Sequence, residues 1–433
     1  DPVHDRIVLA RDPFGIKPLY YAQTAQGLAF ASEAQALVAA GLVTPSVVSE
    51  KRDELLQLQF TTGRQTPFEH IQRVLPGEVL VIREGRIVER HHHAALPEGG
   101  VRGLSEADAL KVLDDYLMES VTLHQRADVD YGMFLSGGID SSAILAMMAR
   151  LNVRPVHAFT AGFDGTGVPD EREQARRAAA SVGAEHDEVS FSEKDFWSLL
   201  PRVAATMDDP AADYAILPTY KLAMTAREAG LKVILSGEGG DELFGGYGRY
   251  RRASRWRLFG GRPMRSSGVM DDLGLLRKTP AGWRNGIAEA ERHEGKPHRT
   301  QLQVAQAVDI ADWLPNDLLT KLDRCLMAHG VEGRVPFIDP VLADFAFRLP
   351  DRLKTHRRMG KWLLRKWLET AMPESRPYHH KMGFTVPVGD WIAMQGGRVG
   401  ALLVDQPVVQ EVFDPEVVGS LFKGLSVGGD KKH

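Results

Sequence analysis

The sequence predicts an α/β fold: a doubly wound parallel sheet with a helical C-terminal part, preceded by a smaller β-rich region. Three observations predict it. From Ser105 onward, short apolar runs alternate with amphipathic stretches, the pattern of a parallel sheet with helices on both faces. Two of the apolar runs, 131–135 and 232–235, enter glycine-rich loops, and open parallel sheets bind ligands at such carboxyl ends. Residues 1–93 carry short β-like runs instead, and 94–104 (AALPEGGVRGL) hold Pro and Gly with little periodicity, which marks a linker. The expected domains are therefore 1–93, a linker at 94–104, and 105–433.

Bulk properties narrow the class. The chain has 433 residues, 43% hydrophobic and 25% charged, as in an ordinary globular protein of two domains. A net charge of -4 disfavours a phosphate-tracking nucleic-acid surface. A single cysteine, Cys325, can form neither an internal disulfide nor a cysteine-rich zinc site, which fits a reducing, cytoplasmic compartment. No run approaches the roughly 18 apolar residues of a membrane span, and no secretory signal opens the chain. The first residue is Asp1, and the opening reads as the middle of a strand region, so the chain is expected to be cut at its N-terminus.

Taken in order, strands are expected at 6–10, 28–31 and 78–82, the last turning at Glu84-Gly85-Arg86 into a hairpin. Ser105 caps a helix over 105–121, whose Leu110, Leu113 and Leu117 share a face. Strand 131–135 is followed by a helix over 142–151, strand 156–163, a helix over 170–182 capped by Asp170 and stopped by Gly183, and a third strand at 188–191. A helix over 217–229 ends at Gly230, and strand 232–235 follows. Residues 260–300 are polar and interrupted by Gly and Pro, so a mobile loop is expected there. Apolar spacing at 318–327 and 362–368 predicts helices, and 428–433 a disordered tail.

Four motifs carry chemistry. In Leu135-Ser136-Gly137-Gly138-Ile139-Asp140-Ser141-Ser142, glycines let backbone N–H groups approach an anion, a helix N-terminus adds partial positive charge, and serines add donors. No Lys follows the last glycine, so this is a phosphate cradle of another kind than a Walker loop. Asp140 would repel phosphate unless a divalent cation lay between them, and Mg²⁺ held by few carboxylates plus phosphate oxygens fits that role. The second, Ser236-Gly237-Glu238-Gly239-Gly240-Asp241-Glu242-Leu243-Phe244-Gly245-Gly246-Tyr247, crowds carboxylates that repel without a cation; Asp241 is a candidate second metal carboxylate, and Glu238 a candidate to meet an amine. The third, Val331-Glu332-Gly333-Arg334-Val335-Pro336-Phe337-Ile338-Asp339, suits either recognition of a substrate bearing amine and carboxylate, or a structural ion pair. The fourth, Tyr378-His379-His380-Lys381-Met382-Gly383-Phe384, offers a lysine that could steady transferring phosphates. Adjacent histidines at 91–93 and 379–380 do not share a face and are read as surface or core residues rather than a metal site.

Taken together these motifs resemble the glutamine-hydrolysing asparagine synthetase family, over nearly the whole chain. The 136–142 loop is similar to the pyrophosphate loop of the ATP-pyrophosphatase superfamily, and 236–247 and 331–339 narrow the likeness to the asparagine synthetase branch. The resemblance implies that ATP adenylates a substrate carboxylate, that pyrophosphate leaves, and that ammonia attacks the acyl-adenylate. Carried over by position, it implies Mg²⁺ on Asp140 and Asp241, and pyrophosphate on Ser136, Gly137, Gly138 and Ser141. Leu135, Ala161, Ser236 and Gly237 would line the nucleotide pocket, Glu238 would support intermediate formation and amine attack, and Lys381 would balance charge on the departing pyrophosphate. Implied partners are aspartate or a related carboxylate, glutamine or ammonia as nitrogen source, and a second copy in a homodimer.

Residues 11–21 (RDPFGIKPLYY) and Ala31-Ser32-Glu33 are similar to the later part of the family's class II glutaminase domain, which uses an N-terminal cysteine nucleophile. That cysteine and the segments that hold glutamine are not in residues 1–93, and Cys325 in a predicted helix is a poor substitute. Glutamine hydrolysis is thus expected of a longer parent chain. Two rivals stand beside asparagine formation: a relative that amidates or cyclises another carboxylate, and a non-catalytic nucleotide-binding module.

Overall fold

The computed structural model describes residues 1–164, 171–254, 261–278, 280–379 and 386–426. Its N-terminal region contains two three-stranded antiparallel sheets. One has the order β1 (Ile7–Ala10), β5 (Glu78–Arg83), β6 (Arg86–His92); the other has β3 (Gly27–Ala31), β2 (Tyr20–Thr24), β4 (Gln72–Arg73). Strand alternation sends Leu9, Leu80 and Ile82 from the first and Tyr21 from the second into one shared core around Val74. The β5–β6 hairpin turns at Glu84 and Gly85, with φ of 49° and 70°, as a two-residue turn between right-twisted strands requires. The expected Arg11-Asp12 motif is a built turn. Asp12 accepts from the backbone N–H of Phe14, Ile16 and Lys17, while the Arg11 guanidinium donates to the carbonyls of Gly15, Lys17 and Val74.

From β6 the chain runs without regular structure to Ser105, whose side chain accepts from the Asp108 N–H and caps the helix Glu106–His124. A five-stranded sheet follows, every neighbouring pair parallel, in the order β11 (Glu332–Arg334), β10 (Val233–Leu235), β7 (Tyr131–Phe134), β8 (His157–Gly162), β9 (Glu185–Ser190). The chain therefore steps outward from β7 to β9, then crosses to the other side of β7 for β10 and β11. The helices Ile139–Leu151 and Arg172–Ser181 pack on each other, as do Glu193–Thr206 and Ile216–Glu228, the pairing expected when right-handed crossovers cover both faces of such a sheet. The order of strand addition reverses between β7 and β10, which run parallel with Leu235 opposite Met133, so their following loops leave the same rim side by side. This is the switch point at which a doubly wound sheet opens a crevice.

Beyond the sheet, three helical segments run end to end: Gln301–Val308, a π-helix at Asp309–Leu319, and Thr320–Met327. Pro315 lies inside the π-helix, where the wider turn accommodates a residue that lacks the donor an α-helix needs. The helix Trp362–Ala371 packs on Ile139–Leu151.

Several expectations change. The helix after the first glycine loop begins at Ile139 rather than residue 142, which puts Asp140 and Ser141 in its first turn. The third strand starts at Glu185. Residues 260–300, expected as a loop, contain the helix Asn285–Glu294; Ile287 and Ala290 bury beside Tyr250, Leu302 and Ala305. Asp170, the motif around Lys381 and the tail at 428–433 lie outside the described residues.

The N-terminal region and the sheet domain are joined by buried charge. Arg73 donates to Asp209 through Nε (2.7 Å) and Nη2 (2.6 Å), with both side chains 2% exposed. Tyr20 donates to Asp209 at 2.9 Å, the half-exposed Lys17 donates to Asp323 at 2.9 Å, and Arg324, which holds Asp208 at 2.7 Å within the sheet domain, donates across to the Ser32 carbonyl at 2.9 Å. Burial alone would raise the Asp209 pKa, and Arg73 beside it reverses this to a net lowering, so the pair is held in its ionised form.

Candidate active site

A cavity of about 350 Å³ opens at the rim where β7 and β10 end. The start of the β7 loop is pinned to β8: Leu135 N–H donates to Phe159 O (2.9 Å) and Thr160 Oγ1 donates to Leu135 O (2.5 Å). Ser136 and Ser141 staple it internally, with their hydroxyls 3.1 Å apart and Ser136 N–H donating to Ser141 Oγ at 3.2 Å. The second loop is fixed by Ser236 N–H donating to Arg334 O at 2.8 Å.

Most of the residues expected at the site line this one cavity: Leu135, Ser136, Gly138, Asp140, Ser141, Ala161, Ser236, Gly237, Glu238 and Asp241. Gly137 lies instead against Gln174 and Ala175. The third motif is structural. Arg334 spends its guanidinium on Glu332 (3.0 Å) and on the carbonyls of His124 and Arg126, while Asp339 caps the helix Pro340–Phe347. The amine-and-carboxylate reading of that motif is therefore withdrawn. Cys325 is fully buried, and burial pushes its thiol up to about 12, so it is inert as a nucleophile at neutral pH.

Asp140 and Asp241 meet on one cation. The ammonium of Lys361 pairs with Asp140 and lies 2.6 Å from Asp241 Oδ1, with its side chain 4% exposed. Lys361 has φ of 56° and precedes the helix Trp362–Ala371, a left-handed position that is strained for a side-chain-bearing residue and recurs at functional sites. Two glycines make the approach possible. A Cβ at Gly240 would sit 2.5 Å from Asp140 Oδ1, and one at Gly246 would sit 1.7 Å from Asp241 Oδ1 and 2.5 Å from Lys361 Cε. The glycine run of the second loop thus exists to let carboxylates and lysine close on one point.

Sequence reasoning missed Lys361 and a second buried ion pair. Lys321 Nζ lies 2.6 Å from Asp213 Oδ2, and both line the cavity with Glu238. Burial opposes the Lys321 charge, but Asp213, Glu238 and Asp317 more than reverse this, so its pKa is raised. Glu238 is pushed up, first by burial and then by the charges of Asp213, Asp241 and Asp140, with Lys321 opposing. Asp317 is raised to about 8, mainly by burial and by Asp213. A signal for Lys321 was present: it recurs on the apolar spacing of Leu318, Leu322 and Cys325, where a charge needs a buried partner. Nothing local marks Lys361 among the 53 lysines and arginines.

The donor set decides what can enter. Among the described lining residues, five carboxylates (Asp140, Glu171, Asp213, Glu238, Asp241) face two lysines (Lys321, Lys361). A triphosphate brought here needs a countercation. No group of three or more metal-ligating side chains occurs among the described residues, while two carboxylates sharing one cation suit Mg²⁺, which keeps waters and takes its other oxygens from phosphate. The arrangement fits a Mg²⁺-bound polyphosphate and is a poor match for a metal site made by protein alone.

Comparison with known proteins agrees with this geometry. Residues 112–432 match the family model described as asparagine synthase, and residues 1–93 match that of a glutamine amidotransferase domain. The chain is 33% identical over 425 residues to "Asparagine synthetase [glutamine-hydrolyzing] 1" of Bacillus subtilis, covering 88% of this chain and 66% of that protein. It thus spans just under two thirds of that relative's length. It is 26% identical over 423 residues to "Amidase chry2" of Gibberella zeae, covering 82% of this chain and 62% of that protein. Among solved structures, an NMN synthetase from Francisella tularensis is similar over 33% of this chain and 58% of its own, at 16% identity and a TM-score of 0.23, a likeness too slight to bear on the fold. With the asparagine synthase match covering most of its length, the chain belongs to the asparagine synthase family.

Proposed function

We propose that this chain carries the ATP-dependent amide-forming activity of an asparagine synthetase, with aspartate as the carboxylate and ammonia, free or glutamine-derived, as the nitrogen source. One observation carries the reading: two glycine loops leave adjacent parallel strands at one rim, and their acids, Asp140 and Asp241, converge on a single cation beside one cavity.

In this reading the 136–141 loop offers backbone N–H groups and the hydroxyls of Ser136 and Ser141 to the β- and γ-phosphates. Leu135, Ala161 and Ser236 wall the nucleoside. Asp140 and Asp241 would hold Mg²⁺, which supplies charge neutralisation of the phosphates when bound. Lys361, already between those acids, would turn its ammonium to the phosphate oxygens. A substrate carboxylate oxygen forms a bond to the α-phosphorus as the bond to the bridging α–β oxygen breaks, and pyrophosphate leaves with that electron pair. This in-line transfer needs positioning and charge neutralisation more than covalent help. Ammonia then attacks the acyl carbon, the bond to AMP breaks, and a proton leaves nitrogen. Glu238, half-buried with its pKa raised, is suited to take that proton. Lys321 and Asp213 beside it offer one positive and one negative group to an amino-acid substrate. Lys381 is proposed as a further cation for the pyrophosphate on the family pattern alone.

A name such as that of the fungal relative "Amidase chry2" favours keeping a second reading, in which another carboxylate takes the place of aspartate. One assay addresses both: exchange of labelled pyrophosphate into ATP, run with aspartate and with a panel of other carboxylates. Aspartate-dependent exchange, lost in Asp140→Ala, is the expected result. Exchange dependent on a different acid would move the substrate assignment, and exchange with none would overturn the adenylating role.

A further inference from the structure

A second polar cavity, of about 230 Å³, lies apart from the active-site cleft, between the end of the helix Ser49–Leu58, the short helix Gly248–Ala253 and the segment 262–269. Arg249, Arg252, Arg262, Arg265, Ser266 and Ser267 line it, and no Asp or Glu is among its described lining residues. Behind its wall stands Asp309, 1% exposed and shared by two of these arginines, with Asp317 acting on Arg265 as well and Glu291 accepting from the Met264 N–H. Arg249 holds Asp309 Oδ2, with Nε at 2.8 Å and Nη2 at 2.7 Å, while Arg265 Nη2 faces Oδ1 from 3.7 Å. Both guanidinia are also held by aromatic faces: Arg249 lies 3.6 Å from the Tyr247 ring centre, and Arg265 lies 4.1 Å from that of Trp313 and 4.8 Å from that of Phe60.

The charge balance here is uneven. Arg265 Nε and Nη2, Trp313 Nε1 and the acceptor Asp309 Oδ1 are buried without a hydrogen-bond partner among the described residues. Burial pushes the Arg265 guanidinium down and neighbouring Arg249 adds to this, with Asp309 and Asp317 compensating only in part. Arg265 also has φ of 48°, a left-handed backbone that is strained for such a residue and persists only where surroundings enforce it. The cavity wall thus presents four arginines and no acid of its own among the described residues, two of the guanidinia fixed in place by stacking.

From this juxtaposition we infer that the four-arginine cavity is a binding site for a small phosphate oxyanion of the size of pyrophosphate. Guanidinium forks match phosphate oxygens in pairs. The volume suits one or two phosphoryl groups and falls below the range that encloses a drug-sized ligand. Free pyrophosphate and the phosphate tail of a nucleotide share this chemistry, and the two are separated by titrating each.

The test is equilibrium binding of labelled pyrophosphate to the whole chain in EDTA, which removes the cation that the carboxylate-rich cleft requires, with ATP titrated in parallel. One saturable site per chain is expected, weakened at least tenfold in the double variant Arg252→Gln/Arg262→Gln, whose two side chains are exposed, and unchanged in Asp140→Asn. Ser266→Glu, which adds an acid to the wall, should abolish it. Binding of ATP more tightly than pyrophosphate, with the same sensitivity to these substitutions, would support the site and assign its ligand to nucleotide. Absence of binding, binding indifferent to the arginine substitutions, or an effect matched by equal ionic strength of chloride would overturn the inference.

Discussion

Lys361, with Asp140 and Asp241 on either side, shows how one side chain organises the site. Its removal takes away the ammonium that pairs with both carboxylates, a loss on the order of 3 kcal/mol for a pair of this burial. Lys361→Met should therefore lower the melting temperature in EDTA. It should also gain more stabilisation from Mg²⁺ than the parent does, because the metal then supplies the missing charge. Scanning fluorimetry with and without Mg²⁺ measures this, and equal Mg²⁺ responses would separate Lys361 from the metal site. The Arg73–Asp209 pair, fully enclosed and doubly hydrogen-bonded, predicts a loss of about 3–5 kcal/mol for Arg73→Met. Arg150→Met, which breaks an exposed pair with Asp114, predicts less than about 1 kcal/mol. Urea unfolding compares the two, and similar losses would contradict the assignment of buried charge to the junction. Asp140 and Asp241 were legible in the sequence because glycine-flanked acids follow strands there. Lys361 was not, because its partners are more than a hundred residues away along the chain.

Among the elements, the π-helix Asp309–Leu319 does unusual work. It carries Asp309 toward the arginine cavity, Asp312 toward the Gly63 N–H at 2.6 Å, and Asp317 toward the Lys321–Asp213 pair. Asp317 gives a pH dependence with a definite sign. Its pKa is raised to about 8 in the folded chain, against about 4 when unfolded. Between those values the native state holds a proton that the unfolded state has lost, so this contribution to stability is full below pH 4 and is lost as pH rises towards 8. Asp317→Asn should flatten that decline, and urea midpoints at pH 5 and pH 8 test it; an unchanged slope would contradict the raised pKa. Helix reading from the sequence succeeded where the apolar face was long, as in Glu106–His124 with Ala109, Leu113 and Leu117. It failed at Asn285–Glu294, where two buried anchors, Ile287 and Ala290, gave too short a period among Gly and Pro. The helix Glu193–Thr206 was legible but unread: Ser192 and Asp195 form a capping box ahead of Phe196, Leu199 and Val203.

At the scale of the molecule, sheet order makes the site. Only because β10 returns to lie beside β7 do two loops about a hundred residues apart share a rim. The alternation of strands and helices foretold a parallel sheet, but the adjacency of β7 and β10 follows from packing that no local pattern encodes. The contacts from Arg73 and Tyr20 to Asp209, from Lys17 to Asp323, and from Arg324 to the Ser32 carbonyl bind the β-rich region to the sheet domain. Calorimetry should accordingly show one cooperative unfolding endotherm, and two well-separated endotherms would contradict that coupling. The central claim, that the rim seats a nucleotide whose α-phosphorus is attacked by a carboxylate, is tested most directly by an isotope. With ¹⁸O-labelled aspartate, Mg-ATP and ammonia, the account predicts one ¹⁸O atom in the phosphate of the AMP formed. Amide formation that leaves AMP unlabelled, or that yields ADP and phosphate, would contradict it.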